Sequence, residues 1–372
     1  MLHVGITGQA GFMGTHLFNY LSLDKDHFTM HSFKDEYFQD ENILKDWVQK
    51  CDVIVHLAAM NRHNDPNEIY KTNLKLVKSL IKALEDTSST PHLLFSSSTQ
   101  EERDNPYGRS KKEGRELLVK WAKKSGATFS GLVIPNVFGP FGNPYYNSVV
   151  ATFSHQLNHN ETPKIDVDGD LKMIYVGELV KVFCDCILEQ KEDDAIMVQP
   201  TGFIKVSIPL SLLLQYKKDY AENGMIPDLP DAFHRNLFNT FKSYMDIPEH
   251  YPFALTKHSD DRGSFVETMR LGLGGQVSFS TTRPGITRGN HFHTRKIERF
   301  VVVKGEAKIQ LRKIGSEELI EFKVSGDAPA FVDMPVWYTH NITNIGDEEL
   351  YTLFWINEFY DPNDPDTYFE EV

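Results

Sequence analysis

Over roughly the first 240 residues, short apolar runs alternate with amphipathic stretches of helical period. LHVGIT (2–7), FTMHSF (28–33), DVIVHLAA (52–59), HLLFSSS (92–98) and FSGLVIP (129–135) read as strands. GFMGTHLFNYLS (11–22), ENILKDWVQK (41–50), NEIYKTNLKLVKSLIKALE (67–85) and YGRSKKEGRELLVKWAKKSG (107–126) read as helices. This alternation predicts a parallel, doubly wound α/β sheet. Near residue 250 the pattern changes. QVSFSTT (276–282), ERFVVVKGEAKIQLRK (298–313), EELIEFKV (317–324) and ELYTLFWINEF (349–359) are short alternating runs separated by Gly, Pro, Asn and Asp, which predicts an all-β sandwich or barrel. Two domains are therefore expected, 1–245 and 250–372.

Composition narrows the function classes. The net charge of −13 argues against general nucleic-acid binding, so an anionic substrate needs locally placed basic groups or helix N-termini. No apolar run reaches the roughly 18 residues of a membrane helix, and no membrane insertion is expected. The N-terminal MLHVGITG runs straight into a strand pattern without a leader's charged region, and three cysteines make no disulfide framework. A cytoplasmic location is the expectation. Cys184 and Cys186 fall inside the helical pattern ELVKVFCDCILEQ (178–190) and read as buried thiols rather than ligands.

TGQAGFMG (7–14) places Gly8, Gly11 and Gly14 between a strand and a helix. The first glycine suits a tight turn, the second a close approach to a pyrophosphate, and the third helix–strand packing, with the helix N-terminus facing the phosphates. At the end of the second strand an acidic residue would select a free ribose 2′-OH. His31, Ser32 and Lys34 stand there instead, with Asp35 slightly late, so NADPH is favoured over NADH. Tyr107 and Lys111 are four apart and share a helix face. An ammonium there would lower the phenol's pKa, and Ser98 could hydrogen-bond a carbonyl being reduced.

TGQAGFMG, DVIVHLAA, FSSST, PYGRSK and PNVFGPFGNP (135–144) are similar, in order, to the motifs of extended short-chain dehydrogenases/reductases that act on nucleotide sugars. The resemblance covers roughly 1–240 and implies a Rossmann domain with Ser98, Tyr107 and Lys111 as catalytic triad. It also implies cofactor contacts from Gly8, Gly11, Phe12, Met13, Gly14, Leu57, Ala58 and Ala59, with Asn73 supporting the lysine through water, and substrate contact from Asn136. Two departures stand out. Only eight residues separate Ser98 from Tyr107, fewer than usual, so a loop that would cover the sugar is missing. The family's phosphate-binding arginine is replaced by Leu171, with Lys172 beside it as the substitute.

The second half carries GITRGNHFHTRKIERFVVVKG (285–305), with His291, His293 and Glu298 between Gly285 and Gly305, and PVWYTHNITN (335–344) adds His340. Alternate strand residues point the same way, so His291 and His293 share a face. Glu298 is expected on the paired strand and His340 on another. Three imidazoles and a carboxylate suit Zn²⁺, Ni²⁺, Fe²⁺ or Mn²⁺, with zinc the default. The arrangement resembles the two motifs of the cupin barrel, with Trp337 where a glycine is usual. DDRGSFVE (260–267), ITRGNHFH (286–293) and VVVKGEAKIQLR (301–312) also resemble the nucleotide-sugar 3,5-epimerases, which are cupins that normally work without metal. That resemblance implies nucleotide or sugar contacts from Arg262, Glu267 and Arg288, and makes His291 the base. His291 is thus claimed both as ligand and as base; Tyr338, Lys304 and Glu358 are the alternative proton carriers.

The order of the two parts, reductase then metal cupin, resembles the bifunctional enzymes of capsular polysaccharide synthesis over essentially the whole chain. The expected architecture is an α/β doubly wound Rossmann domain followed by an all-β cupin barrel. The resemblance implies a UDP-4-keto-6-deoxy-N-acetylhexosamine substrate, UDP-2-acetamido-2,6-dideoxy-β-L-arabino-hex-4-ulose, inverted at C3 by the cupin and reduced at C4 with NADPH. A homodimer is also implied. The alternative is a plain 4-keto reductase fused to a non-catalytic sugar-binding or dimerisation cupin.

Overall fold

The computed structural model describes residues 1–260, 263–266, 268–269, 275–358 and 361–372. The chain divides into two compact units, 1–152 with 169–206, and 153–168 with 207–372.

In the first unit the strands are β1 (Leu2–Thr7), β2 (Phe28–His31), β3 (Val53–His56), β4 (His92–Ser98), β5 (Phe129–Ile134), β6 (Asn136–Phe138), β7 (Asp170–Tyr175), β8 (Asp193–Met197) and β9 (Gly202–Lys205). Six of them form one parallel sheet in the order β2–β1–β3–β4–β5–β8, as the alternating pattern requires. The chain leaves β1 outward to β2 and returns to β3, so the switch in strand order falls between β1 and β3, where open α/β sheets bind ligands. The helices α1 (Phe12–Ser22), α2 (Glu41–Val48), α3 (Pro66–Thr87) and α4 (Pro106–Ser125) have local causes. Asp65 caps α3 through the Asn67 amide and Asn105 caps α4 through the Gly108 amide, each with proline in the first turn. Gly126, at φ +75°, ends α4. Val77, Leu80 and Leu84 of α3 and Leu118 and Trp121 of α4 are buried with Ile54, Leu93, Phe95 and Phe129 of the sheet.

The second unit includes α7 (Ser207–Tyr216) and α8 (Ala232–Lys242), which follow α5 (Val149–Asn158) and α6 (Val176–Leu188) in the chain. Its strands are β10 (Phe253–Ala254), β11 (Lys257–Asp260), β12 (Gly263–Val266), β13 (Gln276–Thr282), β14 (Thr287–Phe292), β15 (Glu298–Lys304), β16 (Glu306–Lys313), β17 (Leu319–Ser325), β18 (Ala330–Met334), β19 (Tyr338–Asn344), β20 (Leu350–Ile356) and β21 (Tyr368–Phe369). They make the antiparallel sheets β10–β18–β15–β20–β13 and β17–β16–β19–β14–β21 and the hairpin β11–β12. Val301, Phe331, Val332 and Leu350 of one sheet share a core with Ile309, Leu311, Phe322 and Ile342 of the other. The all-β domain expected from the alternating runs is therefore present.

Residues 207–245, placed by sequence pattern with the first domain, pack with the β sheets. A buried ionic network explains why. The Arg299 guanidinium on β15 forms a double hydrogen bond to the Asp333 carboxylate on β18, at 2.8 and 3.0 Å, and donates to Gly224 O at 2.7 Å. The Tyr220 hydroxyl donates to the same carboxylate and bonds Tyr251, while Lys242 Nζ lies 3.8 Å away. Arg299 and Asp333 are 1% and 3% exposed. Burial opposes the Asp333 charge, but Arg299 and Lys242 prevail and hold its carboxyl below the usual range. Removing one partner of a buried pair leaves the other charge uncompensated. Asp333→Ala should therefore lower the stability of this unit by about 3–5 kcal/mol in denaturant unfolding; a change within error would show that the network does not join the helical segment to the sheets.

Candidate active site and metal centre

A cavity of about 680 Å³ opens at the carboxyl ends of β1, β3, β4 and β5. Gly8 turns the chain out of β1 at φ +67°, and a Cβ there would sit 2.8 Å from the Ala58 backbone. A Cβ on Gly14 would fall 2.2 Å from Gly8 O, so α1 packs against the turn only with glycine at that position. Gly11 begins α1 without a side-chain cap, and no acidic residue stands in the first turn. Phe12, Met13 and Gly14 line the cavity with the helix N-terminus, which suits a pyrophosphate. Leu57, Ala58 and Ala59 line it from the end of β3. The residues expected around a dinucleotide's phosphates are thus gathered here, and they fit one.

Ser98, Tyr107 and Lys111 line the same cavity. Ser98 caps the short turn after β4, its hydroxyl accepting from the Gln100 amide at 3.2 Å. Glu101 on that turn is held by Arg115 of α4 in a two-pronged pair at 2.9 and 2.7 Å, which closes the short segment between serine and tyrosine. Lys111 is buried and donates to Ser96 O at 2.8 Å, with its ammonium 5.8 Å from the Tyr107 ring centre. Burial pushes the Lys111 ammonium down to about 8, with Glu101 acting in opposition. Tyr107 departs from expectation. Burial, with Tyr146 beside it, pushes its phenol up rather than down. The ammonium is engaged with the Ser96 carbonyl, and the loss of hydration sets the direction for the phenol. The phenol is therefore neutral at physiological pH, the form that can donate a proton.

Other expected contacts are distributed unevenly. Asn73 accepts from Met60 N at 2.7 Å and donates to Met60 O and Ser110 Oγ, tying the loop after β3 to α4. Asn136 lines the cavity and donates to Lys172 O at 3.1 Å, while the Lys172 ammonium lies over the Phe203 ring. His31, Ser32 and Lys34 are not among the described lining residues, whereas Asp35 and Phe38 are. The His31 ring bonds His3 at 2.8 Å, and Ser32 O accepts from the Trp47 indole. Sequence reading passed over Asn61, Arg62, Gln100 and Tyr146, which also line the cavity. Tyr146 accepts from the Asn61 amide at 3.2 Å, and Arg62 donates to Tyr145 O at 2.6 Å. Asn61 and Arg62 stand close after HLAA, and Tyr146 close after PNVFGPFGNP, which was the available signal.

In the second unit His291, His293, Glu298 and His340 place one ligand atom each within 4.8 Å of the others. Glu298 Oε2 lies 3.1 Å from His340 Nε2, 3.4 Å from His293 Nε2 and 3.9 Å from His291 Nε2. The strand assignment is corrected. His340 on β19 is the direct partner of His291 on β14, and Glu298 reaches the cluster from β15 in the opposite sheet. A bulge at Asn290, φ +55°, shifts the register just before His291. Burial opposes the Glu298 charge, and the three imidazoles overcome it and hold its carboxyl well below the usual range. His293 Nε2 is buried with no hydrogen-bond partner. That atom and the three-nitrogen, one-carboxylate donor set fit a divalent ion such as zinc. Trp337, where a glycine was expected, has φ +62° and stacks on Phe292, ring centres 5.5 Å apart. The position needs left-handed backbone, and here an indole takes that conformation while packing on its neighbour.

Arg288 is exposed and reaches Thr281 O at 3.4 Å. Arg262 and Glu267 lie outside the described residues. Of the alternative proton carriers, Lys304 pairs with Glu348 on the surface and Glu358 with Arg295 and Arg235. Tyr338 shares a strand face with His340, two residues away, and burial pushes its phenol up to about 12.

Comparison with known proteins agrees with this two-part layout. Residues 4–198 match the NAD dependent epimerase/dehydratase family and 258–368 match the polysaccharide biosynthesis C-terminal domain. The chain is 31% identical to a UDP-2-acetamido-2,6-beta-L-arabino-hexul-4-ose reductase of Pseudomonas aeruginosa, over 99% of this chain and 98% of that one. The crystal structure of the capsular polysaccharide assembling protein CapF from Staphylococcus aureus is 35% identical, covers all of both chains and superposes with a TM-score of 0.64. RMD from Pseudomonas aeruginosa, solved with NADPH, shares the fold of the first part at 19% identity, 59% of this chain, 83% of that one and a TM-score of 0.53. No helix among the described residues is long and apolar enough to cross a membrane. The glycine turn, the cavity it walls and the β unit that follows are those of a CapF-like chain, and the protein belongs to the NAD dependent epimerase/dehydratase family.

Proposed function

We propose that the chain is a bifunctional nucleotide-sugar enzyme of capsular polysaccharide synthesis. Its β unit inverts C3 of UDP-2-acetamido-2,6-dideoxy-β-L-arabino-hex-4-ulose. Its first unit then reduces C4 with NADPH to UDP-2-acetamido-2,6-dideoxy-β-L-talose, on a route to UDP-N-acetyl-L-fucosamine. The observation that carries the reductase half is the buried Lys111 ammonium close to a neutral Tyr107 on a cavity walled by the glycine turn. The full-length likeness to the Pseudomonas reductase supports the substrate class. A homodimer, implied by the resemblance of both halves, is part of the reading.

The glycine turn and the N-terminus of α1 would hold NADPH, which when bound would supply the hydride for C4. The Ser98 hydroxyl donates a hydrogen bond to the C4 oxygen. Tyr107 gives that oxygen its phenolic proton, and the Lys111 ammonium stabilises the phenolate left behind. Chemistry sets the order of the two steps. The C3 proton is acidic only while C4 is a ketone, because the carbanion is then stabilised as an enolate. Reduction ends epimerisation. His291, His293, Glu298 and His340 would hold a zinc-like ion, whose role in this reading is mainly to brace the β unit.

One observation favours the second reading, a plain reductase with a non-catalytic β unit. His291, the expected base, lies in the cluster of ligand atoms, and a ligated imidazole is a poor proton acceptor. Tyr338 is the remaining candidate on the same strand face as His340.

Tyr107→Phe should lower steady-state NADPH oxidation by about 10²–10⁴-fold and leave NADPH binding nearly intact; near wild-type turnover would contradict the relay. For the wild type, kcat/KM should fall as pH rises through about 8, where Lys111 of the free enzyme loses its proton and can no longer stabilise the phenolate. A rate flat to pH 10 would contradict that role. With the UDP-4-keto sugar and NADPH, NMR of the product should show C4 reduced and C3 inverted. A product reduced with C3 unchanged would support the second reading, and no NADPH turnover would contradict the reductase.

A further inference from the structure

The strand that carries His291 is bordered by residues 368–369. β21 adds to the edge of β14, pairing Phe369 with His291 and Tyr368 with Phe292. Tyr368 stacks on Phe292 with ring centres 5.4 Å apart, and Glu370 N donates to Asn290 O at 3.0 Å, across the bulge. Just before this strand comes Asp366, 2% exposed and held at φ +41°. Its carboxylate accepts from the Thr294 amide at 3.1 Å and the Thr294 hydroxyl at 2.6 Å, and from the Arg295 and Lys296 amides at 2.9 Å each. Three consecutive backbone N–H groups after His293 thus converge on one buried carboxylate. Its main-chain carbonyl lies 2.5 Å from His293 Nδ1. Pro365 O takes a further bond from the buried Lys296 ammonium at 2.7 Å.

A carbonyl can only accept, so the bond to Asp366 O puts the His293 proton on Nδ1. In the neutral ring Nε2 then carries the free lone pair, and this atom is buried 3.4 Å from Glu298 Oε2 without a hydrogen bond. The second nitrogen of a metal-binding imidazole commonly has its tautomer and angle set this way. We propose that Asp366 is a positioning residue of the metal site. It holds His293 as the Nδ1–H tautomer and fixes the turn that follows, which makes the C-terminal strand a working part of the site. This rests on reading His291, His293, Glu298 and His340 as metal ligands.

The test uses the full chain, stripped of metal and reloaded with zinc or with cobalt(II) as a spectroscopic probe. Asp366→Ala should weaken zinc binding by about 10–100-fold in competition with a chromophoric chelator. It should also alter the cobalt d–d spectrum, because His293 is no longer held in place. Asp366→Asn keeps the backbone geometry and one acceptor oxygen, so it should lie between alanine and wild type; it also serves if the alanine variant fails to fold. Asp364→Asn removes a surface ion pair from the same segment and should leave both readings at wild type. Wild-type affinity and spectrum in the Asp366 variants would overturn the inference while leaving the metal site standing. Equal weakening by Asp364→Asn would overturn it as well, since any disturbance of the tail would then suffice. A wild-type protein that binds neither metal would overturn the metal reading and this inference with it.

Discussion

The hydrogen bond from Lys111 Nζ to the Ser96 carbonyl is the constraint around which the first unit is arranged. An ammonium taken out of water must be compensated, and here the carbonyl at the end of β4 and the nearby Glu101 carboxylate do this. Lys111 can reach that carbonyl only if α4 lies close along β4, which brings Tyr107, one turn earlier, to the cavity wall beside Ser98. Arg115, four residues after Lys111, grips Glu101 on the intervening turn. Two contacts from one helix face thus set the serine, tyrosine and lysine relative to one another, and the short loop between them is the length these contacts permit. Burial then leaves the phenol protonated, the form that can donate to a ketone being reduced, and lowers the Lys111 ammonium to about 8, so the charge beside the phenol is present below that pH.

The β unit gathers its polar groups in the same economical way. Two imidazoles on paired strands face a carboxylate from the opposite sheet, with a third imidazole at the end of β14. Without a cation, Glu298 is balanced only by histidines that must share protons, and one buried nitrogen has no partner. A divalent ion would resolve both defects at once. The buried Arg299–Asp333 pair plays a separate part by binding residues 207–251 to the sheets, so the β unit extends beyond its alternating strands.

Features governed by local spacing were legible in the sequence. The glycine turn, the tyrosine–lysine pair and the H-x-H-x4-E run each place their groups within a turn or a strand or two, and the structure brings them together. Features governed by long-range packing were not. Strand pairing around the metal ligands depends on sheet topology, so Glu298 and His340 exchanged their expected places. Residues 207–245 follow the β sheets, where Tyr220 meets Asp333, 113 positions later. Asp366 is 73 positions from His293 and sits in an acidic, proline-rich stretch that reads as a solvated loop. The rise of the Tyr107 phenol comes from desolvation, which residue spacing does not encode.

The central claim is that proton removal at C3 and reduction at C4 are separate chemistries in separate parts of one chain. Tyr107→Phe given the UDP-4-keto sugar and NADPH in D₂O tests it most directly, because the ketone persists and C3 stays acidic. NMR should show deuterium entering C3 while NADPH is not consumed. Deuterium at C3 no greater than in the free ketose without protein would contradict the account and leave the β unit as a binding module.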